Sequence, residues 1–109
     1  MRDIHHFING ASVAGTSGRF GDVYDPNTGE IQARVALASA AEMDAAVQNA
    51  ATAQIGWAAT NPQRRARVMF EFKRLVEREM DSLAALLSAE HGKVIADSKG
   101  DIQRGLEVI

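Results

Sequence analysis

The chain has 109 residues, 46% apolar and 24% charged, with enough Leu, Val, Ile, Met and Phe to bury one face of several elements, so disorder is not expected. Its 12 basic and 14 acidic residues leave a formal net charge of -2, which excludes the large basic field that draws a protein to nucleic acid or an anionic membrane. There is no cysteine, and that excludes a disulfide framework, a thiolate metal site and a thiol nucleophile within these residues.

The length fits one ordinary domain or a fragment of something larger. The opening Met1-Arg2-Asp3-Ile4-His5-His6-Phe7 lacks the apolar core and small-residue cleavage site of a secretory signal, and no apolar run approaches membrane-spanning length; the expected compartment is the cytoplasm. No low-complexity tract or internal repeat interrupts the chain.

From Phe7 to Leu37, short apolar stretches are punctuated by turn residues, most strongly at Asn9-Gly10 and at Asp25-Pro26-Asn27-Thr28-Gly29. Ile31, Ala33, Val35 and Leu37 alternate with Gln32, Arg34, Ala36 and Ala38, a period of two that predicts a strand with Ile, Val and Leu on one face. Phe20 to Tyr24 leads into the intervening turn and is expected to pair with that strand antiparallel, making a small ribbon.

The pattern changes at Ser39-Ala40-Ala41-Glu42, where a serine is followed by a glutamate at capping-box spacing, so a helix is expected from about residue 40. Met43, Ala46, Val47, Ala50 and Ala53 follow at helical spacing as a narrow, alanine-rich stripe suited to close packing, and Gly56-Trp57 is expected to mark the end. Thr60-Asn61-Pro62 predicts a second helix, with Asn as cap and Pro in the first turn. Its apolar face carries Val68, Met69, Phe72, Leu75 and Val76, and Lys73 and Glu77 stand four apart.

After a bend near residues 79–81, Met80, Leu83, Ala84, Leu87 and His91 continue a third helix up to Gly92, which has the chemistry of a helix stop. A fourth helix is expected from Val94 to Ile109, with Ile95, Ile102, Leu106 and Ile109 on one face despite Gly100 and Gly105, each costing about 1 kcal/mol against alanine. The closing Leu106-Glu107-Val108-Ile109 has no glycine, proline or polar tail, a pattern expected of a truncated piece. The fold expected is thus an N-terminal ribbon over 7–37 followed by about four α-helices over 40–109.

Several side-chain groups invite a chemical reading. His5-His6 could ligate a metal, but adjacent positions do not converge on one ion and no carboxylate cluster accompanies them, so a solvated terminus is the simpler reading. Arg64-Arg65-Ala66-Arg67 could grip phosphate; with Glu71, Glu77 and Glu79 nearby, a solvated or interface face is favoured. Gly92-Lys93 fails as a phosphate loop, because the earlier glycine would have to be Leu87 and Val94 stands where Ser or Thr is needed. No G-x-G-x-x-G occurs, so the pyrophosphate fingerprint is missing. Glu90 and His91 are expected to cap or pack at a helix end rather than act as acid and base.

In order and spacing, Phe7-Ile8-Asn9-Gly10, Asp25-Pro26-Asn27-Thr28-Gly29-Glu30, Trp57 with Arg64-Arg65-Ala66-Arg67, and Glu90-His91-Gly92-Lys93 resemble the opening landmarks of the aldehyde dehydrogenase superfamily. Arg65 to Phe72 and Lys99 to Val108 resemble most the methylmalonate-semialdehyde dehydrogenases. The resemblance implies an α/β enzyme that uses NAD to oxidise malonate or methylmalonate semialdehyde through a cysteine thioester. Loss of CO₂ and acyl transfer to coenzyme A would follow, in valine and inositol breakdown, by a homo-oligomer.

It also implies that the nucleophile, general base, oxyanion-stabilising asparagine and cofactor loops lie in later parts of a much longer chain. No catalytic, cofactor-binding or metal-binding residue is then expected here, and the helices would support the cofactor-binding domain without its Rossmann sheet. Arg104 matches an arginine characteristic of the subfamily, and its guanidinium is expected to bind the substrate carboxylate; the plainer reading is a helix pair with Asp101 or Glu107.

Three functional readings follow: an incomplete dehydrogenase, inactive alone; another semialdehyde dehydrogenase of the superfamily; or a standalone helical binding or assembly module derived from one. Either way, exposed faces at Met43, Val47, Phe72, Leu75, Leu83, Leu87, Ile102 and Leu106 are expected to leave the isolated chain loosely packed or self-associating.

Overall fold

Period-two patterning in the first third and helical spacing afterwards give five strands followed by four helices in the structure, a computed structural model describing residues 1–109. The chain divides into two compact units, one of residues 1–24 and 30–59, the other of Asp25–Gly29 with Thr60–Ile109. No helix is long and apolar enough to cross a membrane.

In the first unit, β5 (Ile31–Ala36) is the centre of a three-stranded sheet, with β1 (Arg2–Ile4) parallel on one side and β4 (Phe20–Tyr24) antiparallel on the other. The antiparallel pairing is the one expected. The parallel strand is an addition: Arg2–Ile4 carries no apolar alternation, and its register is pinned by a cross-strand ion pair. Asp3 stands opposite Arg34, whose Nε and Nη2 donate to the two carboxylate oxygens at 2.7 and 3.1 Å. The same guanidinium lies 4.5 Å from the centre of the Phe20 ring, so one side chain ties all three strands together.

The expected single buried face of β5 needs correcting. Ala33 and Ala36 are the buried residues, while Ile31 and Leu37 are exposed. A register shift opposite Val23 and Tyr24 makes Gln32 an extra residue on β5, which breaks the strict alternation. Three positions separate Ala33 from Ala36, so the sheet buries one small residue on each face. The hairpin of β2 (His6–Ile8) and β3 (Ala11–Val13) forms a second, two-stranded sheet. Its turn is Asn9-Gly10, with φ of 53° and 73°, the pair of positive φ values that a type I′ turn demands and that Asn and Gly tolerate.

Helix α1 (Ala40–Ala59) begins at the expected box: the Glu42 amide donates to Ser39 Oγ at 3.2 Å and Glu42 Oε2 accepts from the Ser39 amide at 2.8 Å. Gly56 does not end it, and the helix runs on to Ala59, since one glycine costs only about 1 kcal/mol within a long helix. The close packing expected of its stripe is also absent; no residue of α1 is buried.

The second unit contains α2 (Pro62–Arg78), α3 (Met80–His91) and α4 (Ile95–Val108). Asn61 caps α2, its Oδ1 accepting from the Gln63 amide at 2.8 Å, and the chain bends at Glu79 as expected. Its ion pairs are Arg74 with Glu71 at 2.6 Å and, at its end, Arg78 with Glu79 at 2.8 Å. Helices α3 and α4 close on each other over small residues: Ala84 and Ser98 are fully buried, and the Ser88 and Ser98 hydroxyls lie 2.7 Å apart. Leu106, expected to be exposed, is only 2% exposed, and burying its side chain contributes about 2 kcal/mol. Phe72 remains exposed beside an open apolar groove of about 400 Å³ that also touches Val76, Leu83, Ile102, Leu106 and Ile109.

Candidate functional site

The helix stop at Gly92 organises the region that the sequence singled out. Its φ of 85° is left-handed and its amide donates to Ser88 O at 2.8 Å, the cap glycine accepts at least cost. The turn Asp25–Gly29 lies against it. That turn is fixed by Asp25, whose Oδ1 accepts from the Asn27 amide at 2.8 Å, and by the Gly29 amide donating to Asp25 O at 2.8 Å. A Cβ at position 92 would stand 3.0 Å from Pro26 Cγ, so glycine is required twice over, for the turn and for the close approach. Two sequence landmarks therefore meet at one point.

Directly after Gly92, Lys93 reaches α4 and pairs through Nζ with Asp101 Oδ2. One turn further along α4, Arg104 Nη2 donates to the other oxygen, Asp101 Oδ1, at 3.1 Å. The three side chains form a chain of charges graded in exposure, 22% for Lys93, 38% for Asp101 and 71% for Arg104. The hydrogen bond from Lys93 holds the Asp101 carboxyl below the usual carboxylate range, helped by the charges of Lys93, Arg104 and His91. Arg104 thus makes the helix pair that its spacing allows, and most of its guanidinium faces solvent. The Asp101–Arg104 pair follows a helical spacing of three, whereas the link to Lys93, eight positions back across a helix break, follows no periodic rule.

The other candidates each have surroundings of their own. His5 Nδ1 lies 3.4 Å from Ser12 Oγ, His6 lines a shallow pocket with Phe7, Ile8 and Met43, and no three His, Asp or Glu side chains converge as a metal site would require. Arg64 and Arg67 are exposed, whereas Arg65 is half-buried with its Nε unpartnered. These residues show no dinucleotide-binding turn. The Ser39 and Glu42 box fills the start of α1 and Asn61 that of α2, no helix follows a glycine-rich turn out of a strand, and the groove beside Phe72 is apolar.

The aldehyde dehydrogenase family model matches residues 13–109. A malonate-semialdehyde dehydrogenase of Pseudomonas aeruginosa is 40% identical over 107 residues, covering 98% of this chain and 21% of that protein. A mitochondrial methylmalonate-semialdehyde/malonate-semialdehyde dehydrogenase of the acylating type from Mus musculus is 37% identical over 94% of this chain and 19% of its own length. Among solved structures, a chain described as a methylmalonate-semialdehyde dehydrogenase from Sinorhizobium meliloti 1021, complexed with NAD, is 58% identical. It superposes with a TM-score of 0.96 over 99% of this chain and 22% of that one. The chain thus spans about a fifth of the length of the relatives it matches. With the landmarks in order, the family match over all but the first 12 residues and the superposition in agreement, the chain belongs to the aldehyde dehydrogenase family.

Proposed function

We propose that these residues are the N-terminal part of an NAD-dependent, coenzyme A-acylating methylmalonate- or malonate-semialdehyde dehydrogenase, which carries out oxidative decarboxylation to propionyl-CoA or acetyl-CoA. The observation that carries this reading is the identity to semialdehyde dehydrogenases across nearly the whole chain. Residues 7–37 and 40–109 then form an incomplete domain, a supporting layer of the cofactor-binding domain. The whole enzyme works as a homo-oligomer in the cytoplasm, within valine and inositol breakdown.

Its nucleophile, NAD site and coenzyme A site belong to the remaining length of the protein, and the chain alone, having no cysteine, forms no thioester. Arg104 is the one residue here that we assign to substrate. Its largely free guanidinium is suited to a carboxylate, which a planar fork of donors binds through two bonds. The exposed apolar groove beside Phe72 favours a second reading, a standalone module that docks on a partner.

The test joins these 109 residues to the remaining length of the Sinorhizobium meliloti relative and assays methylmalonate semialdehyde, NAD and coenzyme A. The unjoined chain is titrated with NAD by calorimetry alongside. Turnover by the chimera with no binding and no turnover by the chain is the expected result. A folded, inactive chimera would overturn the enzyme reading. Saturable NAD binding by the chain alone would overturn the assignment of its helices to a supporting layer, and a sharply melting monomer would favour the standalone module.

A further inference from the structure

We propose that Asp101, anchored by Lys93, is a positioning residue that fixes the Arg104 guanidinium and thereby sets the preference for aldehydes bearing a carboxylate; this rests on the reading of Arg104 given above. An arginine that is 71% exposed samples many rotamers, and ordering it on substrate binding opposes that binding. In this structure part of that ordering is built in. One donor, Nη2, is held by Asp101 Oδ1 at 3.1 Å; Nε and Nη1 are not engaged by it, so an edge of the fork remains for a second carboxylate.

Charge decides why Lys93 is needed. An Asp101–Arg104 pair alone is neutral and would hold little attraction for an anionic substrate, because its own carboxylate has satisfied the guanidinium. Lys93 engages the opposite oxygen of Asp101, so the group of three carries one net positive charge and its most exposed member is the arginine. Lys93 is also the least exposed of the three and follows the Gly92 stop. The anchor therefore springs from a backbone position fixed by the Gly92 turn.

Positioning and simple electrostatics predict opposite signs. Replacing Asp101 by asparagine removes a negative charge, which on electrostatics alone strengthens binding of a carboxylate; loss of positioning weakens it. In the active chimera, Asp101→Asn is expected to raise KM for methylmalonate semialdehyde roughly tenfold, the order of one charge-assisted hydrogen bond. It should leave kcat, and KM for propanal, near their original values. Asp101→Glu should restore most of the difference. Lys93→Gln should raise the same KM while leaving the α4 helix itself untouched, and Arg104→Gln should raise it at least as far.

A fall or no change in KM for Asp101→Asn, beside a rise for Arg104→Gln, overturns the positioning role and leaves the Arg104 reading standing. No change for Arg104→Gln removes the Arg104 reading and this inference with it. If Asp101→Asn does not fold, an unchanged KM in Lys93→Gln overturns the inference by itself.

Discussion

Helices α1 and α4 both present apolar residues at helical spacing, yet they end differently. All 20 residues of α1 are unburied and Met43 is 58% exposed; α4, with 14 residues, buries Ser98 completely and Leu106 almost so. The pattern on a helix states which face is fit for burial, and a partner must supply the burial itself. For α4 the partner is α3, approached closely because Ala84 and Ser98 are small. The stripe of α1 is mostly alanine, which gains little per residue from partial cover. Its Met43 and Val47 project from it into solvent.

The contrast has a direct energetic test. Leu106→Ala is expected to destabilise the chain by about 2–4 kcal/mol, because buried methyl groups are lost and a cavity is left. Met43→Ala should stay within about 0.5 kcal/mol, as surface changes do. Urea unfolding followed by far-ultraviolet circular dichroism reads both; equal costs would mean that the α1 face is covered and the two helices are alike.

A smaller effect separates two glycines. Gly18 in the first unit and Gly92 in the second both have left-handed φ, 71° and 85°, but a Cβ at 18 meets open space and one at 92 meets Pro26. Gly18→Ala should cost about 1 kcal/mol from backbone strain alone. Gly92→Ala should cost about 2 kcal/mol or more, since the turn at Pro26 must also shift. Identical melting shifts would show that the close approach at Pro26 yields freely.

What could be read from the sequence was local chemistry. The Asn9-Gly10 turn, the Ser39 and Glu42 box, the Asn61-Pro62 start and the Gly92 stop each involve residues no more than four apart, and each stands where expected. The family resemblance was legible for the same reason, since several of its landmarks are such turns and caps. What escaped notice depended on distant partners. Arg2–Ile4 is a strand by its parallel pairing with β5, where Asp3 meets Arg34, 31 positions on. The bulge at Gln32 needs β4 beside it, and Ser88 meets Ser98 only once two helices have closed. At the candidate site, the Arg104 and Asp101 pair was visible as a spacing of three, whereas its anchor Lys93 was not.

The smallest effect concerns acid, and again sets the two units against each other. In the first unit, Glu42 Oε2 accepts from the Ser39 amide at 2.8 Å and Oε1 from the Thr16 amide and hydroxyl at 2.6 and 3.0 Å, joining the β3–β4 loop to the start of α1. The Ser39 amide chiefly, then the Thr16 amide, stabilise the carboxylate and bring its pKa from an ordinary 4.5 down to about 2. A depressed carboxyl contributes stability that is complete above its unfolded pKa and is lost as pH falls through the folded one. The loss attributable to Glu42 therefore falls between about pH 4.5 and 2. Glu71 on α2 is also lowered, by the hydrogen bond from Arg74, but that pair is exposed and solvent screens it. Unfolding midpoints measured across this range should fall less steeply in Glu42→Gln than in the parent, and Glu71→Gln should change the slope less. A slope unaltered by Glu42→Gln would mean that the two amides hold the neutral side chain as well as the charged one, and that the loop is fastened by geometry rather than by charge.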